Sequence, residues 1–151
     1  MIETIEDSNL LEVKNGILCH QVNCIGVMGA GIALQIKKKW PKVYISYLDD
    51  CNLFRTDPKK LLSHVQDVMV DNDLFIANCF GQITPGNGCM TDYKAWDIIL
   101  DKLKDLSNFL NLDLHFPWMI GCGLAGGDWE IMHKKFEKAF VGTKVYVHKL
   151  N

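Results

Sequence analysis

Twice along this chain an apolar run breaks into glycine and passes straight into a helical pattern. The first break is "HQVNCIGVMGAGIALQIKKKWP", from His20 to Pro41, with Gly26, Gly29 and Gly31. The second is "IGCGLAGGDWE", from Ile120 to Glu130. A strand–glycine–helix junction lets backbone N–H groups approach an anion with no Cβ in the way. It also sits at the carboxyl end of a strand, where open α/β sheets bind their ligands. Two such junctions predict one site with two walls, opening on a single sheet edge.

The remaining segments fit that frame. Met1 to Glu6 alternates as an edge strand, and Gly16 to Asn23 is a short apolar strand. Ala30 to Trp40 has helical spacing, and Pro41 blocks its direct continuation. Val43 to Leu48 starts a second helix, and "DND" parts two strands at Val65–Val70 and Leu74–Cys79. Thr91 or Asp92 caps a long amphipathic helix reaching Leu110, with Trp96, Ile99, Leu100, Leu103 and Leu106 on one side. Leu112 to Trp118 is a strand, Asp128 caps a helix from Trp129 to Phe140, and Thr143 to Leu150 alternates as a last strand. This alternation predicts an α/β layer fold with a largely parallel sheet between helices. The 151 residues point to one domain, 1–151, able to bury a core without staples.

Composition removes several function classes. A net charge of −2 lacks the basic footprint of a generic nucleic-acid binder. The run Lys37, Lys38, Lys39 spreads around a helix as a solvated face. Six cysteines include no C-x-x-C pair, so the zinc signature is missing. The glycine spacing G-x-x-G-x-G is not the dinucleotide fingerprint, and no Lys-Ser or Lys-Thr pair follows it, which argues against nucleoside triphosphate hydrolysis. No apolar leader and no membrane-length apolar run is visible, so a cytoplasmic protein with reduced thiols and no membrane partner is expected.

Together the two glycine segments resemble the macrodomain family. They are most similar to the branch of ADP-ribose 1''-phosphate phosphatases and terminal ADP-ribose protein glycohydrolases, of the phage and bacterial stand-alone type. Asn23, a spacer and then Met28-Gly29-Ala30-Gly31-Ile32-Ala33 carry the first part of the likeness. Gly121-Cys122-Gly123-Leu124 before a helix carries the second. The resemblance implies a three-layer α/β/α sandwich with a mixed, mostly parallel central sheet, and a ligand of the ADP-ribose class. No cofactor and no metal are expected. ADP-ribosylated macromolecules are the further partners it allows.

By position, the resemblance assigns Asn23 to the distal ribose. Val27, Met28, Gly29, Ala30, Gly31 and Ile32 would wrap the distal ribose and diphosphate, and Gly121, Cys122, Gly123, Leu124, Ala125 and Gly126 would form the opposing loop. Phe80 is placed beside the ligand. Asn9 stands near the position of an adenine-binding Asp, Ala125 where many members carry an aromatic residue, and His148 where some carry a tyrosine near adenine.

Three activities stay open at this point. His20, three residues before Asn23, matches a phosphatase-branch histidine, and His suits proton transfer near neutral pH. His20 and Asn23 would then be the catalytic residues, converging only where the strand ends or bends by Val22. A glycohydrolase would need a route without lysine, because Asn78, Cys79 and Phe80 occupy the lysine region and Ala125 the Asp position. A binding module needs only the two loops.

Overall fold

The computed structural model describes residues 1–86, 88–122 and 125–150. Among the described residues the strands β1 (Ile2–Glu6), β2 (Gly16–Val22), β3 (Val65–Asp71), β4 (Leu74–Phe80), β5 (Leu114–Pro117) and β6 (Val145–Lys149) form one sheet, ordered β1-β6-β5-β2-β4-β3. Every neighbouring pair is parallel except the β3–β4 hairpin. Between them run α1 (Gly31–Lys39), α2 (Pro41–Leu53), α3 (Tyr93–Leu110) and α4 (Trp129–Ala139). The mixed, mostly parallel sheet between two helical layers is the expected sandwich.

β2 is one of the two central strands and is buried on both faces, so its sequence "GILCHQV" is mostly apolar rather than alternating. Ile17 and Cys19 join Trp96, Ile99, Leu100 and Leu103 of α3 and Met132 and Phe136 of α4 in one core cluster. Leu18 packs the other way, with Ile36 of α1 and Val43 of α2. Spacing of three and four residues on α3 turns its apolar stripe onto the sheet. Each fully buried large side chain there contributes roughly 1.5–3 kcal/mol.

Helix ends follow their capping chemistry. Asp92 caps α3 by accepting from Ala95 N–H, and Asn111 ends it in the left-handed region at φ 54°. Asp128 caps α4 by accepting from Glu130 N–H. Pro41 blocks α1 and serves as the first residue of α2. Neither α1, whose N-cap is Ala30, nor α2, whose N-cap is Trp40, has a side-chain cap.

Candidate functional site

The topology fixes where the cleft opens. After β2 the chain crosses to the α1/α2 layer, and after β5, its neighbour in the sheet, it leads to α4 in the opposite layer. Loops that part in this way leave a crevice at the strands' carboxyl ends. A cleft of about 660 Å³ lies there, lined by both glycine loops.

Asn23, Val27, Gly29, Ala30, Gly31 and Ile32 line it on one side, and Gly121 and Ala125 on the other. The start of α1 therefore faces the cleft. The first N–H groups of a helix have no partner within it. α3 and α4 each meet that need with an Asp, whereas α1 presents its first turn to the cleft without a side-chain cap. The positive end of the helix dipole and these N–H groups suit a phosphate or diphosphate.

Asn23 acts inside its own loop. Its Nδ2 donates to the Val27 carbonyl at 2.8 Å. Its Oδ1 accepts from Ile25 N–H at 3.1 Å, Val27 N–H at 3.3 Å and the Tyr47 hydroxyl at 2.7 Å. The amide holds the loop's shape, and Asn23 is only 6% exposed.

The floor is a one-way hydrogen-bond chain. An indole N–H only donates, so the Trp96 Nε1 contact of 2.6 Å fixes Gln21 Oε1 as acceptor. Gln21 Nε2 then donates to Gln82 Oε1 at 2.7 Å and Thr91 Oγ1 at 3.1 Å. Gln82 Nε2 donates to Thr84 O and Thr91 Oγ1 to Gly121 O, so both branches end on backbone carbonyls. The chain ties β2, the loop after β4, the start of α3 and the second glycine loop together. Gly126 adds a close approach: at φ +71°, a Cβ there would collide with the carbonyl of Gly88.

Several expected site residues lie elsewhere. His20 requires a correction. Its ring is fully buried, faces the α1/α2 layer and is not among the cleft residues. β2 does end at Val22 and Asn23 turns to meet Tyr47 of α2, but the His20 ring turns to Asn78, its Nε2 lying 2.5 Å from Asn78 Oδ1. Asn78 Nδ2 donates to Gln66 Oε1, and Gln66 Nε2 to the Ser46 carbonyl and Asp50. That order makes Asn78 Oδ1 an acceptor and His20 Nε2 a donor. His20 Nδ1 is buried without a hydrogen-bond partner. Burial pushes the His20 pKa down to about 4, against a smaller upward pull from Asn78, so the ring is neutral at physiological pH.

Phe80 is fully buried and packs on Tyr47 and His64. Met28 is buried in the same cluster as Tyr47, turned away from the cleft. Asn9 caps the short 3-10 turn Leu10–Glu12 by accepting from Leu11 N–H at 3.0 Å. His148 is buried, 2.7 Å from Ser8 Oγ and 2.8 Å from His115. Cys122 points its thiol at the Ile120 carbonyl. Gly126 braces the loop from behind, and Gly123 and Leu124 lie outside the described residues.

Sequence reasoning missed Gln21, Gln82, Pro85, Gly86, Pro117, Trp118, Met119 and Ile120, all of which line the cleft. Two signals were present: Pro85-Gly86 marks a turn in the loop after β4, and Trp118 follows the last residue of β5. No Lys, Arg, His, Asp, Glu or Cys is among the described residues that line the cleft.

No family model matches the chain. Among curated relatives, an ADP-ribose 1''-phosphate phosphatase from Debaryomyces hansenii is 29% identical over 147 residues, covering 81% of this chain and 82% of its own length. A DNA ADP-ribosyl glycohydrolase from Mycobacterium tuberculosis is 42% identical over 48 residues, and the match spans only 14% of that protein. Among solved structures, a macrodomain protein from Streptomyces coelicolor is 25% identical, with 98% of each chain covered and a TM-score of 0.81. The macrodomain of Mycobacterium tuberculosis DarG is 26% identical, with 97% of each chain covered and a TM-score of 0.80. The sheet order, the two glycine loops on one edge and these likenesses agree: the chain has the macrodomain fold and is similar to macrodomain proteins.

Proposed function

We propose that residues 1–151 act as one macrodomain that binds ADP-ribose in this cleft and hydrolyses ADP-ribose 1''-phosphate to ADP-ribose there. The observation that carries the reading is the uncapped first turn of α1, open to the cleft between the two glycine loops. Backbone donors suit a diphosphate without any lysine. The Debaryomyces hansenii relative, an ADP-ribose 1''-phosphate phosphatase, supports the reaction. In that reaction water attacks phosphorus, the bond from phosphorus to the 1''-oxygen breaks, and the sugar oxygen gains a proton. With neutral residues lining the cleft, backbone N–H groups stabilise the transferring phosphoryl group and solvent carries the proton.

The neutral lining also favours a second reading, an ADP-ribose binding module without turnover. Phosphate release from ADP-ribose 1''-phosphate separates the two: release above the uncatalysed rate supports the phosphatase, and calorimetric binding of ADP-ribose without release supports the module. The likeness to a DNA ADP-ribosyl glycohydrolase keeps ADP-ribosylated macromolecules as a third substrate class, by a route without lysine. Among the described residues no helix is long and apolar enough to cross a membrane. The six cysteines are free thiols and suit a reducing compartment, so we place the protein in the cytoplasm.

A further inference from the structure

Trp96 of α3 is fully buried and is not among the described residues that line the cleft, yet it stands at the head of the hydrogen-bond chain in the cleft floor. An indole N–H only donates, so Gln21 turns its carbonyl oxygen to Trp96 and its amide nitrogen to Gln82 and Thr91. A threonine hydroxyl has one proton to give. Because Gln21 Nε2 donates to Thr91 Oγ1, that proton is left for the Gly121 carbonyl, 2.5 Å away. Gly121 lines the cleft at φ +74°, and its carbonyl also accepts from Gly127 N–H at 2.9 Å, which closes the second glycine loop. Both neighbouring backbones rest on the same amide: a Cβ on Gly81 would lie 2.6 Å from Gln21 Oε1, and one on Gly121 3.0 Å from it.

We infer that Trp96 is a positioning residue of the cleft: its indole N–H orients the Gln21 amide, and through Gln21 and Thr91 it holds the Gly121 wall in the shape that receives the ligand. The inference rests on the proposed ADP-ribose reading and adds to it what sets the second wall. Without the indole N–H nothing fixes the Gln21 amide, which can turn over and present Oε1 to Thr91 and Gln82. The Thr91 proton then goes to Gln21, and the Gly121 carbonyl keeps only Gly127 N–H. Gln82 Nε2 is likewise drawn from the Thr84 carbonyl toward Gln21. One buried donor, 2.6 Å from Gln21, thus decides the direction of each bond from β2 to the second loop. The first wall has a separate brace, the Tyr47 hydroxyl on Asn23.

The test combines calorimetric titration with ADP-ribose and the Gly121 carbonyl carbon shift, read by NMR without ligand. The proteins are wild type, Trp96→Phe, Gln21→Met, the double variant of these two, Thr91→Val and Thr91→Ser, with thermal melts to check folding. Trp96→Phe, Gln21→Met and Thr91→Val should each weaken ADP-ribose binding roughly 2- to 10-fold, the worth of one hydrogen bond. The Gly121 carbonyl signal should move in all three. Because they act through one bond, the double variant should bind no worse than the weaker of its two single variants. Thr91→Ser, which keeps the hydroxyl, should restore most of what Thr91→Val loses. Losses that multiply in the double variant, or a Gly121 carbonyl signal unmoved in Trp96→Phe, reduce Trp96 to a packing residue and overturn the inference. Wild-type affinity in the folded variants also overturns it and leaves the nucleotide reading standing. Should Trp96→Phe fail to fold, Gln21→Met combined with Thr91→Val carries the same comparison with the same two outcomes. If wild type binds no ADP-ribose, the nucleotide reading fails and the inference fails with it.

Discussion

The Tyr47 hydroxyl reaches from α2 beneath the first glycine loop and lies 2.8 Å from the carbonyl oxygen and 2.7 Å from the side-chain oxygen of Asn23. It also accepts from Gly26 N–H at 3.1 Å. One buried phenol thus sets the conformation of the wall that carries the uncapped helix start. Burial holds its pKa well above the usual tyrosine value, so it is protonated and able to donate at neutral pH.

Tyr47→Phe keeps the ring packing and removes only the hydroxyl's contacts with Asn23 and Gly26. Leaving Asn23 and Gly26 short of a partner in a buried place should cost about 1–3 kcal/mol. Urea denaturation should show that loss, and ADP-ribose affinity should fall several-fold as the loop loosens. Unchanged affinity with the expected loss of stability would separate the loop's shape from binding.

Asn23→Ala should weaken ligand binding more than Cys24→Ala. Asn23 makes four hydrogen bonds within the loop and to Tyr47, whereas the Cys24 thiol is buried in the neighbouring cluster. Calorimetric titration of both variants decides, and equal affinities would remove Asn23 from the binding machinery.

The two glycine loops should respond differently to substitution. A Cβ at Gly29 meets only Val27, at 3.8 Å, so Gly29→Leu should fold normally and block the cleft with its side chain. Gly126→Ala instead faces both a left-handed φ of +71° and the Gly88 carbonyl, so it should lower the melting temperature as well as binding. Gly29→Leu with wild-type affinity would put the ligand outside the cleft.

Most of the frame was legible in the sequence because it depends on local chemistry. Asp92 and Asp128 are caps, Pro41 is a helix stop and start, and the strands flanking "DND" pair as a hairpin. The placement of side chains in the site was less legible. Whether His20 reaches the cleft depends on the face of β2 it occupies, and a strand buried on both faces does not reveal that in its pattern. Asn9 is a good cap and a good ligand by the same chemistry, and only tertiary structure separates the two. Gln21 looks like a stray polar residue in a core strand until Trp96, Thr91 and Gln82 are brought around it.

Acid should weaken the fold through His20. Its native pKa is lowered to about 4 by burial, so the unfolded chain binds more protons than the native one between that value and its ordinary 6.5. Stability from this group is complete above pH 6.5 and is lost as pH falls through that window, by about 3 kcal/mol in all at ~1.4 kcal/mol per pH unit. His115, also lowered to about 4, and His148, shifted the same way, act in the same direction. Urea denaturation from pH 7 to pH 4 should show stability falling, with a shallower slope in His20→Gln. A slope identical in the variant would mean His20 is not neutral in the native state.

The central claim is that a diphosphate ligand sits on the exposed start of α1. Amide-resolved NMR during titration with ADP-ribose tests it most directly. The largest shifts should fall on the N–H groups of Gly29, Ala30, Gly31 and Ile32, with a second set at Gly121. Saturable shifts that bypass α1 and gather elsewhere, for instance around His64 and Phe109 in the groove beside α3, would contradict the account.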